Sequence, residues 1–103
     1  MGRLTELSRS VEGRVVLVTG AGGGQGRATA HLFADEGAHV AVTDLGQTEV
    51  DAVVAEITDA GGSAGGWTMD VANAERVQQV TDEVARKFGG IDYLINNAGI
   101  SRL

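Results

Sequence analysis

The sequence predicts an α/β fold: a doubly wound parallel sheet, truncated after its fourth strand, with strands in the spatial order 3-2-1-4. Three observations predict it. Short valine-rich runs alternate with longer stretches of helical periodicity. The first run, Val15-Val16-Leu17-Val18, is continuously apolar, as strands are when helices cover both faces of a parallel sheet. Each helical stretch closes on glycine, and each strand runs into a turn built from Gly, Asp or Asn, which suits right-handed crossovers.

Residues 1–13 are polar and aperiodic and read as a lead-in; residues 14–103 form the domain. Arg14 to Val18 is the first strand. After a glycine turn, Arg27 to Glu36 is helical, carrying Ala28, Ala30, Leu32, Phe33 and Ala34, with small alanines that let it lie close to the sheet. Arg27 is expected to be a solvated side chain. Gly37 ends this helix, and His39 to Thr43 is the second strand, closing at Asp44. Thr48 and Asp51 form an N-cap pair for the next helix, whose stripe of Val50, Val53, Val54 and Ile57 falls at helical spacing. Gly61-Gly62 stops it. Ala64 to Met69 is the third strand, with Trp67 half-buried, and it ends at Asp70-Val71. Asn73 caps a third helix with an apolar face of Val77, Val80, Val84 and Phe88. Gly89-Gly90 closes it, and the fourth strand, Ile91 to Ile95, leads into Asn96-Asn97-Ala98-Gly99. No repeat, linker or proline interrupts the alternation.

Thr19 to Gly26 is the organising stretch, with five glycines in eight residues between a strand and a helix. Glycine turns of this kind bring backbone N–H groups at a helix N-terminus against a pyrophosphate, with no Cβ to hold it off. The spacing is T-G-x-x-x-G-x-G on Thr19, Gly20, Gly24 and Gly26. The pattern G-x-G-x-x-G fails, because its last glycine would fall on Gln25, and the absence of any Gly-Lys pair excludes a P-loop. Asp44 stands 24 residues beyond Gly20, at the end of the second strand. A carboxylate there either starts a turn or accepts hydrogen bonds from both adenosine ribose hydroxyls while repelling a 2′-phosphate. Leu45 follows it with no basic residue nearby, which favours NAD over NADP.

These motifs, with Asp70-Val71 and Asn96-Asn97-Ala98-Gly99, resemble the short-chain dehydrogenase/reductase family over nearly the whole chain. The resemblance implies that residues 14–103 are a partial NAD(P)-binding Rossmann domain. It implies a cofactor site made of Gly20, Gly22, Gly23, Gly24, Gln25, Gly26, Asp44, Leu45, Asp70, Val71, Asn97, Ala98 and Gly99. Asp70 would reach the adenine amino group and Val71 would back the ring. The paired amides would tie neighbouring strands, and Ala98 and Gly99 would leave room for ribose. Gln25 departs from the family, which usually has an aliphatic residue there, and this puts the packing of the turn in question.

The family interconverts alcohols and carbonyls with a Tyr-x-x-x-Lys pair and an upstream serine, all beyond the fourth strand. This sequence contains none of them. Tyr93 lies in the fourth strand with Asn97 four residues on, Lys87 precedes it at a helix C-terminus, and Ser101 is too close to the Asn-Asn-Ala-Gly motif. Tyr93 is expected to pack, and no residue takes a catalytic label. The reading is an N-terminal cofactor-binding portion, inactive by itself. The alternatives are a stand-alone nucleotide-binding module and a chain completed by a partner. The unpaired fourth strand is expected to promote self-association.

Composition excludes other classes. A net charge of −6 argues against nucleic acid or an anionic membrane as partner. Without cysteine there is no disulfide, thiolate nucleophile or cysteine-bound zinc, and neither His31 nor His39 has the partners a metal site needs. No run is long enough to span a bilayer, so the cytoplasm is the default, although Ser101-Arg102-Leu103 resembles the peroxisomal Ser-Lys-Leu signal.

Overall fold

The computed structural model describes residues 11–97. Four strands, β1 (Val15–Thr19), β2 (His39–Asp44), β3 (Ser63–Thr68) and β4 (Tyr93–Asn96), alternate with three helices, α1 (Gly24–Asp35), α2 (Gln47–Asp59) and α3 (Ala74–Phe88). The strands lie in the order β3-β2-β1-β4, as expected, and every pairing is parallel. All four therefore point their C-terminal ends to one edge, where open sheets of this kind hold ligands.

Side chains alternate along a strand, so β1 and β2 feed two separate cores. On one face Val16, Val18, Val40 and Val42 pack with Ala30 and Ala34 of α1 and with Val50, Val53 and Ile57 of α2. On the other, Val15, Leu17 and Ala41 pack with Met69 and with Val80 and Val84 of α3. Two helices cover the first face and one covers the second. No helix among the described residues is long and apolar enough to cross a membrane.

Several local expectations need correction. α1 starts at Gly24, inside the glycine turn, three residues before Arg27. Its close approach to the sheet is made at Ala30 and Ala34, as expected, and also at Gly26, where a Cβ would run into the Gly20 carbonyl; Ala28 and Leu32 face solvent. The N-cap of α2 is Gly46, and no side chain caps it. Thr48 and Asp51 sit within the helix, where Asp51 accepts from Gln47. Asn73 does cap α3, its Oδ1 accepting from the Arg76 N–H at 3.1 Å. Gly37, Gly61 and Gly89 follow their helices with φ near +90°, the left-handed turn glycine allows. Tyr93 does not pack: it is 43% exposed. Arg27 is not merely solvated, because its Nε and Nη2 donate to both oxygens of Glu56 at 2.8 Å.

The histidines are satisfied. His31 Nε2 meets Glu56 Oε1 at 2.8 Å, and His39 Nδ1 meets Ser63 Oγ while its ring stacks on Phe88. The Trp67 indole is half-buried and donates to Glu83.

Candidate functional site

The glycine turn is held between two strands. The Ala21 N–H donates to the Thr43 carbonyl, tying the turn to the end of β2. Gly20 and Gly24 adopt φ values of +64° and +55°, which fold the chain sharply from strand into helix. The N-cap of α1 is Gly23, with no side-chain cap and no acidic residue in the first turn. The first intrahelical bond runs from the Arg27 N–H to the Gly23 carbonyl. The N–H groups of Gly24, Gln25 and Gly26 therefore lack an intrahelical acceptor. They stand at the positive end of the helix dipole, which favours an anion. A Cβ on Gly23 would meet nothing within 4 Å, so the approach is open. Gln25 is exposed, and the turn closes without the aliphatic side chain usual there.

Across this turn stands Asp44. Its Oδ2 accepts from the Gly22 N–H at 2.8 Å and its Oδ1 from the Leu45 N–H at 2.7 Å. Two backbone donors fix the carboxylate, and an ionised carboxylate has about four acceptor positions, so capacity is left on both oxygens. Asp44 thus organises a turn, one of the two roles weighed from the sequence, and keeps acceptor capacity on both oxygens. Leu45 beside it is 70% exposed.

A shallow hollow of about 220 Å³ continues the rim and is lined by Leu45, Thr68, Met69, Asp70, Asn73 and Arg76. Leu45 and Asp70 are thus brought together. Asp70 Oδ1 accepts from the Ala72 N–H and shapes the loop after β3. Val71 goes elsewhere. It lines a cleft of about 200 Å³ on the α3 face, with Leu17, Thr19, Met69, Val77, Thr81, Leu94 and Asn96.

The tie between neighbouring strands is real and uses Thr19. Its hydroxyl donates to Asn96 Oδ1 at 2.8 Å and accepts from the Asn97 N–H at 3.0 Å, fastening the end of β4 to the end of β1. Asn97 Nδ2 is buried with no hydrogen-bond partner among the described residues. Ala98, Gly99 and Ser101 lie outside the described residues. Lys87 holds its ammonium 5.6 Å from the Phe88 ring centre, in the last turn of α3.

Two features escaped the sequence reading. Glu49, in the first turn of α2, packs so closely on the glycine turn that a Cβ on Gly22 would come within 2.8 Å of its Cβ. Its place three residues after the N-cap was the available signal. The second is the cluster of Arg27, His31 and Glu56 joining α1 to α2. The Arg27 hydrogen bonds, aided by His31, hold the Glu56 carboxyl well below its ordinary value, down to about 2. The same bonds push Arg27 up. No spacing rule links residues on separate helices.

A dinucleotide fits this rim on three counts: helix-terminal amides without an intrahelical acceptor, an anchored carboxylate across from them, and a buried Asn97 amide donor without a partner among the described residues.

The family model for short chain dehydrogenases matches residues 14–103. A similar curated protein is a 3-oxoacyl-(acyl-carrier-protein) reductase of Thermotoga maritima, 40% identical over 92 residues that cover 89% of this chain and 37% of that protein. Another is the D-threitol dehydrogenase of Mycolicibacterium smegmatis, 43% identical over 93 residues, covering 90% of this chain and 36% of the relative. Among solved structures, a hydroxysteroid dehydrogenase from Escherichia coli superposes with a TM-score of 0.84 at 36% identity, over 86% of this chain and 38% of that one. The chain thus spans little more than a third of the length of these relatives.

Proposed function

The chain belongs to the short-chain dehydrogenase family, an oxidoreductase family using NAD(P), and on that premise we propose that it is the dinucleotide-binding portion of such an enzyme. The observation that carries the proposal is the pairing, on one rim, of the open α1 terminus with the Asp44 carboxylate.

The N–H groups of Gly24, Gln25 and Gly26 receive the pyrophosphate, and Gly20, Gly22 and Gly23 leave room for its approach. Asp44 accepts from the adenosine ribose hydroxyls, and its charge opposes a 2′-phosphate, so NAD is preferred to NADP. Leu45 and Asp70, with the hollow between them, receive adenine; Val71 contributes from the loop after β3. Asn97 offers its amide to the nicotinamide half, and Ala98 and Gly99, outside the described residues, are assigned to the same half by the family motif. Bound nicotinamide supplies hydride exchange with an alcohol or carbonyl. This chain orients it but has no Tyr-x-x-x-Lys pair to move the alcohol proton, so it binds without turnover.

The test is a fluorescence titration with NADH and NADPH. The expected result is saturable binding, tighter for NADH, with no turnover of any alcohol. Absence of binding to either dinucleotide contradicts the proposal, and steady turnover contradicts the assignment of an inactive portion.

A second reading, of a chain completed by association, is favoured by one observation. Among the described residues β4 is an edge strand, with Leu94 63% exposed and Tyr93 43% exposed. Such an edge recruits further chain. We expect the 103-residue polypeptide to self-associate in size-exclusion chromatography, and Leu94→Lys to shift it toward monomer. A monomeric native chain would remove this reading.

A further inference from the structure

We propose that Glu49 is a second determinant of the preference for NAD over NADP, acting beside Asp44. The inference rests on the dinucleotide reading above and adds a residue to it.

The argument starts at Gly22. A Cβ there would come 2.8 Å from Asp44 Oδ2 and equally close to the Cβ of Glu49, so the Gly22 peptide is flanked by both acidic side chains. Asp44 is fixed by the Gly22 N–H. Glu49 folds back along Gly46, the N-cap of α2, where an added Cβ would strike its carboxylate. The Glu49 side chain therefore stands beside the Gly22 peptide that fixes Asp44, next to where the 2′-oxygen of an adenosine ribose held by Asp44 would lie. Among the described residues, no cation of the neighbouring helices is among the atoms nearest a Cβ on Gly22. Arg27 is paired with Glu56, and Arg76, still charged, is held on the Thr68 carbonyl and lines the hollow beside Leu45 and Asp70. A ribose hydroxyl is neutral and tolerates a second carboxylate, whereas a phosphate dianion is repelled by each one it faces.

Glu49 also stands in the first turn of α2, where any acid favours the helix dipole. That structural role predicts a change in stability and none in cofactor preference, so the readout is the ratio of NADPH to NADH dissociation constants in the 103-residue chain. Glu49→Gln is expected to lower the ratio about tenfold, the order expected for one unit charge facing a dianion across a solvated rim. Glu49→Asp should keep the native ratio, and Asp44→Asn should lower it independently. Raising salt should shrink the Glu49→Gln effect.

An unchanged ratio in Glu49→Gln, with a lowered one in Asp44→Asn, would overturn the inference while leaving the dinucleotide reading intact. Failure of the native chain to bind either dinucleotide would overturn both. Glu49→Lys guards against a misleading loss of helix stability, since it should invert the charge effect and lower the ratio further, and a ratio unmoved by it would likewise overturn the inference.

Discussion

The two faces of the sheet are fed by the same strands and finish differently. The face formed by Val16, Val18, Val40 and Val42 is closed by α1 and α2, and Ile57 within it is 1% exposed. The face formed by Val15, Leu17 and Ala41 has α3 alone, and the cleft between α3 and β4 leaves Leu94 63% exposed. The difference teaches where rigidity is placed. The helices on the closed face begin beside the glycine turn and Asp44, so the proposed diphosphate and ribose contacts stand on a finished core. The open face carries Val71, Leu94 and Asn96, with α3 as its one covering helix among the described residues.

The comparison breaks if truncation costs the same on both faces. Ile57→Ala should lose about 3 kcal/mol, the transfer and cavity cost of a buried aliphatic side chain. Leu94→Ala should lose less than about 0.5 kcal/mol, as surface changes do. Urea denaturation at low protein concentration measures both, and equal losses would mean that β4 is covered.

A pair of glycine substitutions separates folding from binding on the closed side. Gly26→Ala forces a methyl against the Gly20 carbonyl and should cost about 2 kcal/mol. Gly23→Ala meets no atom within 4 Å and sits at an extended φ of −170°, open to any residue. Its stability should change by about 0.5 kcal/mol while dinucleotide affinity falls about tenfold, because the methyl occupies the approach to the helix terminus. Affinity unchanged in Gly23→Ala would place the diphosphate elsewhere.

The seam between the sides should respond to Thr19→Val. That change removes a donor to Asn96 and an acceptor for the Asn97 N–H, and should cost about 1–2 kcal/mol. Amide exchange should rise in β4 more than in β2.

The smallest effect is electrostatic. The Glu56 carboxyl is held by Arg27 and His31 below its ordinary 4.5, at about 2. A depressed folded value contributes stability that is complete above pH 4.5 and lost as pH falls through 2. Glu56→Gln should therefore be slightly less stable than the native chain at neutral pH, converge with it toward pH 2, and lose its difference in high salt, because the cluster is exposed. A difference that persists in salt would show a packing role instead.

Element order and sheet topology were legible because valine runs and helical stripes recur at the periods their structures require. Gly37, Gly61, Gly89 and Asn73 mark helix ends by local chemistry, and they do so in the structure. Thr48 was misleading: the chain enters α2 at Gly46, two residues before the expected cap at Thr48, and Asp44 has already turned it through the Leu45 N–H. Tyr93 read as packed because it sits in an apolar run, but β4 is an edge whose outer neighbour is lacking among the described residues. The contacts of Glu49 with the glycine turn, and of Glu56 with Arg27 and His31, depend on how two helices meet and have no sequence period. Of the expected site, the structure gathers the glycine turn with Asp44, and Leu45 with Asp70, while Val71 lines the adjoining cleft that shares Met69 with their hollow.

The most direct test is an amide nuclear magnetic resonance titration of the chain with NAD. The account predicts the largest shifts at the N–H groups of Gly22, Gly24, Gln25 and Gly26, with smaller ones at Leu45, Asp70 and Asn97 and little change at the N-terminal ends of the strands. Shifts confined to those ends, or none at the α1 terminus, would contradict it.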